Sequence, residues 1–355
     1  MTIKVQTNPA ESESRKPRTE TSFPAPLIGP KSLFAAALSL ALGIGLLAFL
    51  FRFTGLHSAE LTALLRAADK RAFILLCCLF AFNSFLSGEK WRLVHRSMRD
   101  PNDRSLPLST AFSLTTLGVA LGQLLPIQVS ASIARTLGTW AEGRAFRHGT
   151  VATLFEQSFD FLVLSTLMLA TLATRLFHRQ AVVWIACSVC ILLVTIAVAP
   201  LVTGAIRWTA SFIVDKATGR YRQFASELLA SGLIDKTLVR QLTAISAIRF
   251  VVLALMAESV SLAIHSPIPM WHLAAAVPFG LLAALAGITP GGLGLTEFAF
   301  TGILAGLGTS AAASSEWAIA NRLLTCAAAF VVATAGAAIL SIQHAKQKDP
   351  APELG

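Results

Sequence analysis

The sequence predicts an all-α polytopic membrane protein, and three observations carry that prediction. Of the 355 residues, 54% are hydrophobic and 14% are charged, whereas soluble proteins carry about a quarter charged residues. The apolar residues form long runs, several near the ~20 residues that a helix needs to cross a membrane. Two runs are broken by Gly and Pro. We therefore expect about six full transmembrane helices and two re-entrant broken helical hairpins.

A single membrane domain is predicted over 31–344, between two polar tails. Residues 1–30 are rich in Ser, Thr, Pro, Glu and Arg, which is typical of a disordered cytoplasmic segment, and 345–355 are predicted to be a disordered C-terminal tail. The predicted full spans are 33–51, 72–88, 151–173, 182–203, 243–264 and 318–342, and the predicted broken segments are 106–134 and 271–308.

The distribution of basic residues predicts the orientation of these spans. If the first broken segment crosses the membrane once, the cytoplasmic side carries 12 Lys and Arg residues and the outer side 15. If it enters and returns, the numbers are 21 and 6, in agreement with the positive-inside rule. We therefore expect both termini in the cytoplasm of a bacterial cell and a multi-pass protein of its inner membrane. The count does not separate a hairpin from two full spans, but the short legs favour hairpins.

Basic and aromatic residues alternate in segment 204–242. This pattern predicts cytoplasmic interfacial helices on the anionic inner leaflet. Because the basic residues serve topology, the net charge of +10 does not indicate a nucleic-acid partner.

The second broken segment contains Pro290-Gly291-Gly292-Leu293-Gly294-Leu295-Thr296-Glu297. A backbone break at membrane depth is tolerated where it is buried in protein or lines a cavity. The alternative is a plain turn between two spans. The two broken segments are predicted to enter from opposite faces of the membrane, as they would in an inverted repeat that places a binding site at its breaks.

Ionisable residues inside apolar runs are costly and therefore mark candidate sites. Glu156 and Asp160 are four residues apart and share a helix face; the alternative is a solvated helix start. Arg322 could hold a carboxylate or a lipid phosphate, or could extend to the interface instead. Six such residues occur: Glu156, Asp160, Arg249, Glu258, Glu297 and Arg322.

At these positions the sequence resembles the transmembrane, flippase-like domain of lysylphosphatidylglycerol synthases and its stand-alone relatives. Residues 290–297 match the PGGLG-x-x-E signature of that family. Leu125-Pro126 with Arg135 resembles its first re-entrant motif, Glu156 and Asp160 fall in its acid-Arg-x-x-Asp pattern, Glu89-Lys90-Trp91-Arg92 resembles its basic-Trp-Arg motif, and Arg322 matches a basic residue of the last span. Gln157 stands where an Arg is usual, and Thr296 where a basic residue is frequent. These departures remove charges, so a neutral or differently charged lipid is also consistent with the sequence.

The resemblance implies an ATP-independent lipid translocator, or a helper of one, for a polar or anionic lipid of the phospholipid, glycolipid or hopanoid class. Its substrate-binding residues would be Arg135, Glu156, Asp160, Glu258, Pro290, Gly291, Gly292, Gly294, Glu297 and Arg322. The alternative is a non-transporting scaffold or accessory subunit of a lipid-modifying enzyme. Lysyl transfer in the family needs a large soluble C-terminal domain, whereas residues 343–355 follow the last predicted span, so we expect no enzyme activity. The scattered histidines indicate no metal site, and no cofactor is expected.

Overall fold

The computed structural model describes residues 66–98, 106–123, 125, 127–141, 146–177, 181–216, 232–286 and 289–348, with isolated positions at 44, 45, 48, 49, 52, 63, 218, 222, 226 and 229. All of them belong to one compact unit, 39–355. Over these residues the secondary structure is helical, as predicted. The α-helices are α1 (Lys70–Ser97), α2 (Leu108–Leu121), α3 (Ile127–Ala141), α4 (Phe146–Phe177), α5 (Ala181–Lys216), α6 (Lys236–Ala263), α7 (Met270–Leu285), α8 (Leu295–Gly306) and α9 (Ala311–Lys348).

Five of these helices are long and apolar enough to cross a membrane: α1, α4, α5, α6 and α9. They coincide with five of the six predicted full spans and confirm a multi-pass membrane protein. The remaining predicted span, 33–51, lies almost wholly outside the described residues. Asp69 starts α1 by accepting a hydrogen bond from the Arg71 amide, and Asp235 starts α6 in the same way through the Leu238 amide. Asp at these positions satisfies backbone donors that have no partner inside the helix.

The two broken segments each form a hairpin of short helices. The helices α2, α7 and α8 have 14, 16 and 12 residues, so the longest measures about 24 Å, less than the ~30 Å of the hydrocarbon core. In the first hairpin, Gly118 of α2 lies close to Ala131 of α3. In the second, His272 near the start of α7 contacts Thr309 just after α8, with Nδ1 and Oγ1 3.3 Å apart. In the first hairpin Leu114 also lies close to Gly138, so the two helices of each pair run antiparallel.

The tips of the two hairpins touch each other. The Gly291 amide donates a hydrogen bond of 3.1 Å to the Leu125 carbonyl. A Cβ atom on Gly291 would lie 2.9 Å from the carbonyl oxygens of Gly122 and Gln123, closer than a side chain allows. Gly291 also has a φ of +57°, a conformation that glycine adopts without steric cost. The glycine-rich break is thus the contact between the two hairpins.

The helices on either side of these hairpins repeat the same order. The first half runs through long α1, short α2 and α3, and long α4; the second runs through long α6, short α7 and α8, and long α9. Helices α1 and α6, which correspond to each other, pack antiparallel: the Asp69 amide bonds to the Ala263 carbonyl, and Arg249 Nε donates to Asn83 Oδ1. The two halves are therefore inverted relative to each other, as an inverted repeat requires.

Several predicted boundaries differ from the structure. Helix α5 continues without interruption from Ala181 to Lys216, so 204–216 prolong this helix beyond its apolar span, Ala181–Leu201. Helix α6 begins at Lys236, so 236–242 belong to a long apolar helix. Most of 217–231 lies outside the described residues, where the interfacial helices stay a prediction. Helix α9 continues to Lys348, four residues into the segment that was predicted to be a disordered tail, whereas 1–30 and 349–355 lie outside the described residues.

Candidate functional site

A cavity of about 270 Å³ lies beside the meeting point of the two hairpins. Its lining comes from both halves and includes the tip residue Gly291. Apolar side chains such as Phe80 and Leu281 form part of the wall, and charged and amide side chains form the rest. Binding sites for small molecules typically combine a largely apolar wall with a few polar groups.

Helix α4 supplies two carboxylates to this cavity from one face. Glu156 is 1% exposed, and its carboxylate accepts from the Ser87 hydroxyl at 3.3 Å and lies 3.7 Å from the Lys90 ammonium. Asp160, one turn further, accepts from Lys90 at 2.6 Å and from the Ser246 hydroxyl at 2.6 Å. A solvated helix start would leave both carboxylates in water, so that alternative is wrong for this pair.

Arg135 of α3 completes the buried side of this cluster. Its Nη1 atom pairs with Glu156, and Nη2 donates to the Ser87 hydroxyl at 2.9 Å and to the Thr115 hydroxyl at 3.2 Å. The guanidinium lies 5.4 Å from the ring centre of Trp91, within the range of a cation–π contact. Its Nε atom is buried and has no acceptor among the described residues.

Arg249 of α6 closes the cluster from the other half. One of its terminal nitrogens pairs with Asp160 and lies 3.9 Å from Glu156, while Nε donates to Asn83 at 3.1 Å. The cluster therefore links α1, α3, α4 and α6. It contains three cations, Lys90, Arg135 and Arg249, and two carboxylates.

A second ion pair lies at the tip of the second hairpin. Glu297, 1% exposed, accepts from Arg322 Nε at 2.6 Å through one oxygen and from the Gly294 amide at 2.7 Å through the other. Arg322 Nη2 also donates to the Gly291 carbonyl at 2.6 Å. Arg322 therefore stays in the protein interior and holds the break in place, so the alternative that it extends to the interface is wrong.

The structure brings six of the ten predicted site residues to the cavity wall: Arg135, Glu156, Asp160, Gly291, Glu297 and Arg322. Pro290, Gly292 and Gly294 are absent from the wall and shape the break instead. Gly294 has a positive φ and donates its amide to Glu297, which turns the chain into α8.

Glu258 is the predicted site residue that stands apart. It does not line the cavity, and its Oε2 atom has no hydrogen-bond partner in the part of the chain that the structure describes. It lies nine residues from Arg249 on the same helix, so the two side chains project to opposite sides. The structure therefore does not bring Glu258 to the wall of this cavity.

Lys90 and Arg249 are the charged residues that the predicted site left out. Lys90 follows the predicted end of the second span, but α1 continues to Ser97 and buries its side chain completely. Arg249 was recognised as an ionisable residue inside a span, and its partner could not be found on its own helix. A basic residue directly after a predicted span, within the resembled basic-Trp-Arg motif, was the signal that could have found Lys90.

The comparisons with known proteins give one match. The family model described as lysylphosphatidylglycerol synthase TM region matches residues 36–336, which covers most of the chain and both hairpins. Neither the curated proteins nor the solved structures contain a match.

Proposed function

The chain belongs to the lysylphosphatidylglycerol synthase TM region family, and on that premise we propose that it is an ATP-independent translocator. It moves a polar or anionic lipid of the phospholipid, glycolipid or hopanoid class between the leaflets of a bacterial inner membrane. Both termini lie in the cytoplasm, the chain catalyses no covalent step, and its partners are membrane lipids and, where present, a lipid-synthesis enzyme.

The observation that carries this proposal is a charged cavity enclosed by apolar helices. Burying an ion in a low-dielectric interior costs several kcal/mol even when it is paired, and ionisable groups inside membrane helices are typical of transport pathways. Three arginines and three carboxylates from both halves line this one cavity, and Lys90 pairs with one of these carboxylates. The charged lining is formed by Arg135, Arg249, Arg322, Glu156, Asp160 and Glu297.

The cavity offers a lipid headgroup the polar contacts that it loses on leaving water. Its charged and amide groups replace hydration while the tails of the lipid stay among the apolar helix faces outside. The tips of the two hairpins meet beside the cavity, at the Gly291–Leu125 hydrogen bond. Separation of the tips from one side or the other would expose the headgroup to alternate leaflets, as in transporters built from inverted repeats.

A leaflet-resolved assay in reconstituted vesicles tests this proposal. The purified protein is incorporated into vesicles with fluorescent phospholipids and glycolipids, and the outer-leaflet label is reduced chemically over time. We expect protein-dependent loss of the inner-leaflet pool. Glu297→Ala and Arg322→Ala should each slow it about tenfold, because each removes a charge-assisted hydrogen bond, whereas Arg92→Ala should not, because Arg92 pairs with Glu89 away from the cavity.

Normal rates in Glu297→Ala and Arg322→Ala, at equal protein content, would contradict the assignment of the site. No movement of any lipid by the unaltered protein would contradict translocation and would favour an accessory subunit of a lipid-modifying enzyme.

A further inference from the structure

Among the described residues, the carboxylates of the cavity have hydrogen-bond partners in the protein, whereas several arginine nitrogens of the cavity do not. Three carboxylates line it, and each of their six oxygens already accepts from the protein or lies in an ion pair with it. For the residues that the structure describes, each carboxylate of the cavity is therefore already paired with a cation of the protein. The lining carboxylates are Glu156, Asp160 and Glu297.

The donors of the same cavity are not used up. Arg135 Nε is buried without an acceptor. Arg249 uses Nε and Nη1, and Arg322 uses Nε and Nη2, so each keeps one terminal nitrogen without a partner among the described residues. The side chains of Arg249 and Arg322 line the cavity and are 14% and 19% exposed.

The formal charge of the residues around the cavity also favours an anionic ligand. The three arginines of the lining balance its three carboxylates, and the buried Lys90, which pairs with Asp160 but is not part of the lining, gives the surrounding ion cluster an excess of one positive charge. The remaining polar wall is uncharged: Gln157, Asn321 and Thr296 line the cavity, and the Thr296 hydroxyl is buried without a partner.

We infer that the cavity selects a lipid phosphodiester whose headgroup carries no positive charge, such as phosphatidylglycerol. The phosphate accepts from the spare nitrogens of Arg249 and Arg322, since a planar guanidinium suits phosphate oxygens, and neutralises the excess charge. The hydroxyls of the headgroup meet the amide and hydroxyl side chains. An aminoacylated lipid places its ammonium groups among arginines and among carboxylates that already have cationic partners, so its loss of hydration is poorly compensated.

This inference rests on the proposed function, because it takes the cavity as the headgroup site, but its test measures binding alone. Fluorescent phosphatidylglycerol is bound to the full-length protein in neutral detergent and displaced by unlabelled competitors. We expect lysyl-phosphatidylglycerol to displace it at least about tenfold less effectively than phosphatidylglycerol, the factor that one lost charge-assisted contact gives. Glycerol phosphate, which has the anion without the tails, should not displace it.

Two variants and a control locate the effect. Arg249→Gln should weaken the binding of phosphatidylglycerol about tenfold. Gln157→Glu breaks no hydrogen bond of the described structure and adds a free carboxylate, so it should weaken phosphatidylglycerol binding and strengthen binding of the lysyl derivative. Arg92→Gln, outside the cavity, should leave both unchanged.

Equal or better displacement by lysyl-phosphatidylglycerol would overturn the inference, and so would a Gln157→Glu protein with unchanged preference. Displacement by glycerol phosphate would overturn the assignment to a lipid. Anion-selective binding without movement in vesicles would contradict the proposed function and leave this inference standing. Movement of lipids in vesicles with a preference for the lysyl derivative would support the proposed function and contradict this inference.

Discussion

The charged side chains of the cavity lie in a protein interior where each depends on a specific partner. Glu156 illustrates this dependence, because Arg135, Lys90 and Ser87 all contact its carboxylate. Removing one partner from such a pair leaves a buried charge without compensation, whereas removing both partners can be nearly neutral.

We therefore predict that Arg135→Ala destabilises the protein by about 3 kcal/mol, because Glu156, 1% exposed, loses its directly bonded cation and keeps Lys90 and Arg249 only at 3.7 and 3.9 Å. Thermal unfolding in detergent, followed by tryptophan fluorescence, measures the change. The double variant Arg135→Ala with Glu156→Ala should recover part of the loss, since the buried carboxylate that lacks a directly bonded cation is gone. A double variant as unstable as the sum of the two single variants would show that the ions are not coupled.

The sequence indicated several of the charged residues that line the cavity but did not indicate which residues they contact. Glu156, Asp160, Glu297 and Arg322 stood out because charges inside apolar runs are rare. The contact between Lys90 and Asp160 joins residues that are 70 apart in the chain, and no local pattern encodes such a separation. Glu258 was selected by the same rule as the others. It lies on a helix face that does not line the cavity, and helical periodicity alone does not tell which face does.

Among the elements, the two hairpins position the site through their tips. Their short lengths and glycine-proline breaks were readable from the sequence. Their mutual contact was not, because it depends on the packing of α2 against α9 and of α7 against α4, where Thr171 bonds to the Ala275 carbonyl at 3.4 Å. The Pro290–Glu297 break, predicted as a functional element, therefore proves to be a joint between the halves as well as a wall of the cavity.

We predict that Gly291→Ala destabilises the protein by about 1 to 3 kcal/mol, the typical cost of holding a side chain in a strained backbone conformation. The added Cβ would also meet the Gln123 carbonyl at 2.9 Å. Gly302→Ala in the same hairpin is the matched control. It has no atom within 4 Å of its added Cβ and lies inside α8, so alanine should leave stability equal or raise it by about 0.5 to 1 kcal/mol. Thermal unfolding measures the stability of both variants. Equal stability of Gly291→Ala and Gly302→Ala would contradict the contact between the hairpin tips.

For the whole molecule, the inverted arrangement fixes which helix ends share a side of the membrane. We predict that cysteines at Ser310 and Lys236 lie on opposite sides, because α6 separates Lys236 from the ends of the second hairpin, near which Ser310 lies. In a background without the five natural cysteines, a membrane-impermeant maleimide added to spheroplasts should label Ser310→Cys and spare Lys236→Cys until the cells are opened. Labelling of both positions from the same side would contradict the predicted orientation.

The two halves also carry their ion pairs with opposite polarity. In the first, the hairpin helix α3 supplies the arginine and the long helix α4 the carboxylate; in the second, α8 supplies the carboxylate and α9 the arginine. The order of helices in each half was predictable from run lengths and basic-residue counts. The reversal of charge could not be predicted, because the sequences of the two halves show no clear repeat. The equivalence of the pairs α3–α4 and α8–α9 is visible only in the fold.

The hydrogen bond between the Gly291 amide and the Leu125 carbonyl has a consequence for the electrical insulation of the membrane. The hydrocarbon core of a lipid bilayer is ~30 Å thick; under the proposed alternating access, the two touching turns of backbone would be the barrier to ions beside the cavity. Parting the turns on both sides at once would create a conducting pathway and dissipate the membrane potential. The proposed function therefore requires that the joint open to one side at a time, and the leak of potassium from vesicles holding Gly291→Ala would measure how tightly it closes.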